Sequence, residues 1–236
     1  TYATNVLAEV TDVDLPSVGM VASIDGYFVA IKNNSGQFYI SALNDGTSWD
    51  PLDFATAESS PDNLSAVVNA VGQIWLFGTR TTEIWTNTGD SFPFRRISGA
   101  KMEVGIASPF TGVEVDNSVF WVGRDKFGTG IVYRATGFTP QRISTNAIER
   151  LLQASGSLSE LRAFSYQEDG HVFYVITGGN LETSIVYDIT TGAWHERAAL
   201  NVNGSFEPHI ACCHMYAFNK HLVGDRRSGK IYHMPL

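Results

Sequence analysis

A repeat of roughly 45 residues runs through the chain, and it limits the possible folds more than any other feature of the sequence. In each copy a short turn precedes a strand rich in aromatic residues. The second residue of each turn is Gly26, Gly72, Asn117, Gly170 or Asn219, so successive turns are 46, 45, 53 and 49 residues apart. A period of this length, built from short strands, is typical of small sheets that hide their apolar faces only against their neighbours.

Each repeat holds four candidate strands. A second aromatic strand follows the first in every copy, around Tyr39, Trp85, Tyr133, Tyr187 and Tyr232. One strand ahead of the turn and one behind the second aromatic strand complete the unit. The pattern predicts an all-β protein, a β-propeller of about five four-stranded blades, with six blades as the alternative. We expect a single domain over residues 1–236, with repeat units at approximately 20–64, 65–108, 109–157, 158–207 and 208–236.

The fifth unit lacks a candidate for its fourth strand. Residues Asn5 to Val10 read as an outer strand, so we expect a segment at about residues 4–10 to complete the fifth blade and close the ring. Closure removes an exposed sheet edge, which otherwise invites aggregation.

One stretch departs from the β pattern. Residues 146–152 follow helical spacing, and Thr145 or Asn146 suits a helix N-cap. We expect a short surface helix near 145–153 that packs Ile148, Leu151 and Leu152 on a blade edge.

Net charge and cysteine content exclude several classes of protein. The formal net charge is −8, so tight capture of DNA or RNA phosphates is not expected. The two cysteines, Cys212 and Cys213, are adjacent in a strand, which argues against a disulfide between them. No run of about 18 apolar residues occurs, so we expect no membrane-spanning helix.

Two sets of residues invite a chemical interpretation. Asp25, Asp116 and Asp169 suggest the carboxylates of a sugar-cleaving propeller, yet all three stand in equivalent turns, where Asp is favoured for its local hydrogen bonds. A second set is the densest group of potential metal ligands, but strand alternation divides its members between two faces. This set comprises His209, Cys212, Cys213 and His214. We therefore predict no catalytic, cofactor-binding or metal-binding residues, no cofactor and no enzymatic activity.

The basic clusters are the remaining candidates. Solvated loops account for most clusters of this kind, and phosphate contact or protein docking is the alternative. We predict possible protein-docking residues at two pairs, Arg95 with Arg96 and Arg226 with Arg227.

Several motifs carry a resemblance to a known family. They are Asp25-Gly26-Tyr27-Phe28-Val29, Phe38-Tyr39-Ile40-Ser41, Ser48-Trp49-Asp50-Pro51-Leu52-Asp53-Phe54, Ile74-Trp75-Leu76-Phe77-Gly78, Asp116-Asn117-Ser118-Val119-Phe120-Trp121 and Thr139-Pro140-Gln141-Arg142-Ile143-Ser144-Thr145. With these motifs the sequence resembles the packaged-DNA stabilization proteins, or tail accessory factors, of short-tailed bacteriophages. The likeness covers most of residues 20 to 153 and is looser beyond about residue 160.

The resemblance implies a structural subunit of the tail nozzle, which extends the portal channel and retains packaged DNA until ejection. It implies three kinds of partner: other phage tail and portal-adaptor proteins, further copies in a homo-oligomeric ring, and packaged DNA that passes through the channel without sequence-specific binding. It also implies a location in the virion tail, after synthesis in the cytoplasm of the bacterial host. The family has no catalytic residues to carry over.

Two other functions stay open at this point. A carbohydrate-binding or receptor-binding propeller is the second hypothesis, and a glycoside hydrolase is the third. A sugar binder presents Trp or Tyr on its loop tips. We assign Trp75, Trp85 and Trp121 to strands and core, whereas Trp49 and Trp194 remain candidates for exposed positions.

Overall fold

Five small antiparallel sheets follow one another along the chain in the computed structural model, which describes residues 8–57, 60–124 and 128–234. The first sheet contains β1 (Val18–Ile24), β2 (Tyr27–Lys32), β3 (Gln37–Ala42) and β4 (Asp45–Thr56). The second contains β5 (Leu64–Ala70), β6 (Gln73–Gly78), β7 (Thr82–Asn87) and β8 (Phe94–Met102). The third contains β9 (Gly105–Ile106), β10 (Val113–Val115), β11 (Ser118–Arg124), β12 (Thr129–Thr136) and β13 (Thr139–Arg142).

The fourth sheet contains β14 (Leu161–Glu168), β15 (His171–Gly178), β16 (Ser184–Asp188), β17 (Ala193–Leu200) and β18 (Phe206–Pro208). The fifth contains β19 (Ala211–Ala217), β20 (Lys220–Asp225) and β21 (Ile231–Met234). Strands pair in chain order within each sheet, apart from β9, which adds to the end of β11. These sheets are the blades of a five-bladed propeller, which confirms the predicted all-β architecture. The short strands β9 and β18 were not expected from the sequence.

The turns that join the first and second strands of each blade share one backbone conformation. Only two residues separate the flanking strand partners, as between Ile24 and Tyr27 in the first blade. Both of these central residues have positive φ in all five turns, as a type I′ hairpin requires. The central pairs are Asp25-Gly26, Val71-Gly72, Asp116-Asn117, Asp169-Gly170 and Phe218-Asn219. The Gly or Asn that recurs in the sequence is therefore the second central residue of this hairpin, since Gly and Asn tolerate positive φ best.

Neighbouring blades are held together by clusters of buried apolar side chains. An aromatic pair marks each of the first three interfaces, and such a pair contributes about 0.5–1.5 kcal/mol beyond its buried area. The ring centroids lie 5.0 Å apart for Phe38 and Trp85, 5.5 Å for Phe77 and Trp121, and 5.4 Å for Phe120 and Tyr174. The fourth interface is thinner, because the buried members from the fifth blade are Ala211 and Val223.

The predicted surface helix is present as α1 (Asn146–Ala154), between the third and fourth blades. Thr145 is its N-cap, and the Thr145 side chain accepts a hydrogen bond from the backbone N–H of Ile148. Ile148 and Leu152 are buried in the cluster between these blades, as expected. Leu151 is exposed, so its predicted packing on a blade edge is wrong. The helix presents one narrow apolar stripe, and Leu151 falls beside that stripe. No helix among the described residues is long and apolar enough to cross a membrane.

The first and the fifth blade, which lie at the two ends of the described chain, both have large apolar side chains that are exposed. Val21 and Phe28 are exposed on the first blade, and Met215 and Ile231 on the fifth. Among residues 8–57, 60–124 and 128–234, no cluster of buried apolar side chains spans these two blades.

The predicted closing strand lies only partly within the described residues. Of the segment Asn5 to Val10, residues 5–7 are outside them, and residues 8–10 form no strand. Closure of the fifth blade by residues 4–10 stays a prediction. The chain that follows is tied to the first blade, because the carboxylate of Asp12 accepts a hydrogen bond of 2.9 Å from the backbone N–H of Trp49.

Candidate functional site

Arg95 and Arg96 lie on β8, the outermost strand of the second blade. Arg96 is the strand partner of Trp85, so the two side chains share the face that is directed toward the first blade. A groove of about 370 Å³ opens at this place. It is lined by Thr56, Glu83, Trp85, Phe94, Arg95 and Arg96. The sequence did not single out Glu83, Trp85 or Phe94 as companions of the arginines, because their proximity depends on the register of β7 and β8.

The groove combines aromatic walls with one buried carboxylate. The side chain of Glu83 is almost fully buried, and one of its oxygens accepts a hydrogen bond of 3.0 Å from Nε1–H of Trp85. Nη1 of Arg96 lies 3.8 Å from the other oxygen, which is a loose ion pair. Arg95 forms an exposed ion pair of 2.9 Å with Asp90. The guanidinium of Arg96 therefore keeps donors for a further acceptor, such as a carboxylate of a partner protein.

Arg226 and Arg227 stand in the turn between β20 and β21 of the fifth blade. Nη2 of Arg227 donates a hydrogen bond of 2.5 Å to a carboxylate oxygen of Glu207 on β18. This bond raises the pKa of Arg227 and lowers the pKa of Glu207. The backbone N–H of Arg226 donates to the carbonyl of Ile210. The pair thus helps to fix a loop, and the structure does not bring it together with Arg95 and Arg96.

The three acidic residues with a possible catalytic interpretation lie in the hairpins of three different blades. Asp116 forms an ion pair of 2.7 Å with Arg134. Asp25 accepts a hydrogen bond of 3.0 Å from the side-chain amide of Asn87. Asp169 has φ of 46° as the first central residue of its turn. The contacts of Asp25 and Asp116 are thus structural ones, and the three carboxylates lie on three different blades.

The histidines and cysteines near the start of the fifth blade also have local contacts. Nε2 of His214 lies 2.9 Å from Nδ1 of His221, so at least one of these rings is neutral. Burial, and then the proximity of His221, lowers the pKa of His214. Cys212 donates a weak hydrogen bond to the carbonyl of Gly224, and Cys213 is exposed. Within the described part of the chain, no group of three or more His, Cys, Asp or Glu side chains is placed to hold a metal ion.

The two tryptophans that were open candidates for sugar binding are engaged within the fold. Trp49 is buried, and its Nε1–H donates to the carbonyl of Gly46 at 3.0 Å. Trp194 donates to the carbonyl of Ile143 at 3.0 Å, and its ring centroid lies 4.8 Å from that of Tyr187. Neither indole is presented on a loop tip.

Comparison with known proteins adds one family match. The model of a protein family described as the β-propeller of bacteriophage P22 Gp10, Phage_stabilise, matches residues 1–235. No curated protein matches the sequence. Among solved structures, the chain is similar to Hsv2 of Kluyveromyces marxianus, at 9% identity and a TM-score of 0.47, with 90% of this chain and 62% of that chain covered.

A second similar structure is the WD40 domain of Toxoplasma gondii coronin, at 9% identity and a TM-score of 0.47. The match covers 92% of this chain and 55% of that chain. The chain thus spans less than two thirds of the length of either structure. At TM-scores below 0.5, neither likeness carries an argument about function.

Proposed function

Because this chain belongs to the bacteriophage P22 Gp10 β-propeller family, we propose that it forms part of a phage tail, where it extends the portal channel and retains packaged DNA until ejection. The family is one of phage structural proteins, and the chain is accordingly a structural protein of the virion. The match over residues 1–235 is the single observation that carries the proposal.

The charge of the chain is compatible with a passage for DNA. A channel wall rich in cations would bind phosphates, release counterions and hold the DNA back during ejection. The net charge of −8 favours a wall along which DNA slides without sequence-specific binding. In this proposal the partners are tail and portal-adaptor proteins, further copies of the chain in a ring, and the passing DNA. Synthesis takes place in the cytoplasm of the bacterial host.

The experiment that tests this role is a comparison of phage particles made with and without the full-length protein. We expect particles without it to package DNA and then lose it, so that their DNA becomes accessible to nuclease. Electron microscopy of complete particles that carry a labelled protein is expected to place the label between portal and tail. Particles that keep their DNA protected in the absence of the protein would contradict the role in retention.

The four arginines enter this proposal as contacts to neighbouring tail proteins. The pair on β8 is better placed than the pair in the fifth blade, because Arg96 has only a loose ion pair, whereas Arg227 is held by Glu207. Replacement of Arg95 and Arg96 together by Gln is expected to lower incorporation of the protein into particles. Arg150→Gln, on the exposed side of α1, is the matched control and is expected to have no effect. If both variants are incorporated equally, Arg95 and Arg96 are not part of the docking surface.

A further inference from the structure

One end of the propeller has an unusual combination of apolar side chains and acidic charge. This end, called the turn surface here, consists of the five type I′ hairpins and the turns between the third and fourth strands of the blades. Hydrogen bonds join adjacent blades at this end: Asn87, the last residue of β7, donates to Asp25, and the backbone N–H of Val71 donates to Glu114 on β10, each at 3.0 Å. The hairpins of the first three blades therefore lie side by side.

Large apolar side chains are exposed on the turn surface of four blades. Val71 and Phe218 occupy hairpins of the second and fifth blades, and are 40% and 90% exposed. Leu43 and Phe138 occupy turns before the fourth strands of the first and third blades, and both are exposed. Val71 and Phe138 line the same hollow, and contiguous exposed apolar groups of this kind mark surfaces for protein interaction.

Val71 and Phe218 also have an unfavourable backbone conformation. Each has φ of 53°, in the left-handed region that β-branched and bulky residues rarely adopt. The equivalent position holds Asp in the other three hairpins, and Asp tolerates this conformation well. The two apolar residues therefore destabilise the free chain relative to Asn or Asp. Strain of this kind at an exposed position points to a role outside folding.

The surroundings of these side chains define the chemistry of the partner. A hollow of about 230 Å³ lies beside Val71, and Trp75 and Phe138 are among its lining residues. The hairpins of the first, third and fourth blades carry the carboxylates of Asp25, Asp116 and Asp169, of which Asp116 is already paired with Arg134. A surface with this charge repels DNA phosphates and attracts a cationic protein surface.

We propose that the turn surface is a docking site for a neighbouring virion protein whose contact surface is apolar and positively charged. Phe218 and Val71 are its apolar anchors, and the hollow beside Val71 receives an apolar side chain of the partner. The hairpin carboxylates face lysine or arginine side chains at the rim. The inference rests on the proposed function only in assigning the partner to the virion.

The test replaces both strained anchors by Asn, which keeps the turn conformation and removes the apolar contact. Val71→Asn and Phe218→Asn in the full-length protein are expected to raise the melting temperature, by about 2–4 °C for each kcal/mol of strain relieved. The double variant is expected to be incorporated into phage particles at least tenfold less than the wild type, as measured by quantitative mass spectrometry of purified particles. A gain in stability together with a loss of incorporation excludes misfolding as the cause.

The matched control is Val202→Asn, which removes an exposed apolar side chain from the loop after β17, at the opposite end of its blade. This variant is expected to be incorporated as the wild type is. Incorporation of the double variant at the wild-type level would overturn the proposal, as would self-association of the wild type that the double variant abolishes. If the wild-type protein itself is absent from purified particles, the result contradicts the proposed function as a virion protein, and not the choice of the turn surface as the docking site.

Discussion

Asp62 allows a direct test of how the second blade is bound to the segment that connects it to the first blade. Asp62 lies between β4 and β5, and its carboxylate accepts hydrogen bonds from the backbone N–H groups of Thr79, Arg80 and Thr81, at 3.0, 2.7 and 2.9 Å. It also accepts a bond of 2.5 Å from the hydroxyl of Thr79. One side chain thus holds the whole turn between β6 and β7.

Replacement of Asp62 by Ala leaves three backbone donors without this acceptor. Each lost bond of this kind costs about 1 kcal/mol where water replaces part of the interaction, so we expect the free energy of unfolding to fall by about 2–3 kcal/mol. For a chain of this length the melting temperature then falls by about 5–10 °C. Thermal unfolding followed by circular dichroism at pH 7 measures this change.

The loss of stability in Asp62→Ala is expected to depend on pH, because the hydrogen bonds need the ionised carboxylate. Burial opposes ionisation of Asp62, but the hydrogen bonds from Thr79, Arg80 and Thr81 outweigh it, so its pKa lies below the ordinary value of 3.8. A carboxyl with a lowered pKa contributes stability that is fully present above its unfolded pKa and is lost as the pH falls through its folded pKa. The difference between wild type and Asp62→Ala is therefore expected to be largest near pH 7 and to shrink below about pH 4.

The matched control is Asp50→Ala, because Asp50 is exposed and accepts a single backbone hydrogen bond, of 2.8 Å, from Leu52. We expect this variant to melt within about 2 °C of the wild type. A melting temperature of Asp62→Ala equal to that of Asp50→Ala would refute the reasoning. A difference between wild type and Asp62→Ala that is unchanged at pH 3 would refute the part that concerns ionisation.

Three further predictions concern other parts of the fold. Gly105→Ala is expected to destabilise the protein by more than about 2 kcal/mol, because an added Cβ would lie 2.4 Å from the backbone nitrogen of Arg80; chemical denaturation measures this loss. Lowering the pH from 7 to 5 is expected to reduce stability, since the half-buried His214, whose pKa is lowered, takes up its proton more readily when the chain is unfolded. His214→Phe is expected to weaken this dependence in thermal unfolding. If residues 4–10 complete the fifth blade, Val6→Pro removes a donor from the added strand and lowers the melting temperature, whereas Thr1→Pro leaves it unchanged.

The hairpins made most of the fold readable from the sequence. A type I′ turn accepts few residue types, so Gly26, Asn117 and Gly170 each indicate a turn at their position in the sequence. The aromatic strands that follow these turns are β2, β11 and β15, as the sequence predicts. Helix α1 was also predictable, because Thr145 and the apolar spacing after it give a local signal.

Features that depend on contacts between distant segments could not be predicted in this way. The residues next to Asp62 in the sequence do not indicate that its carboxylate binds a turn 17 residues away. Glu83 is a charged residue in a buried strand, and its role depends on Trp85 and Arg96 from the same sheet. The strain at Phe218 could not be predicted from the sequence either, because Phe rarely adopts the positive φ that the hairpin imposes.

The thin interface of the fifth blade has a consequence for the order in which the protein opens. Each blade contacts only its neighbours, so stability is distributed along the chain much as in a linear repeat protein. Among the described residues, the fifth blade contributes the buried Ala211 and Val223 and the partly buried Met234 to the cluster that it shares with the fourth blade. Opening the fifth blade therefore exposes less apolar area than separating the second blade from the third. We therefore expect the amide protons of β19 to β21 to exchange with solvent through a local, low-energy fluctuation, and those of β6 and β11 to exchange only through global unfolding.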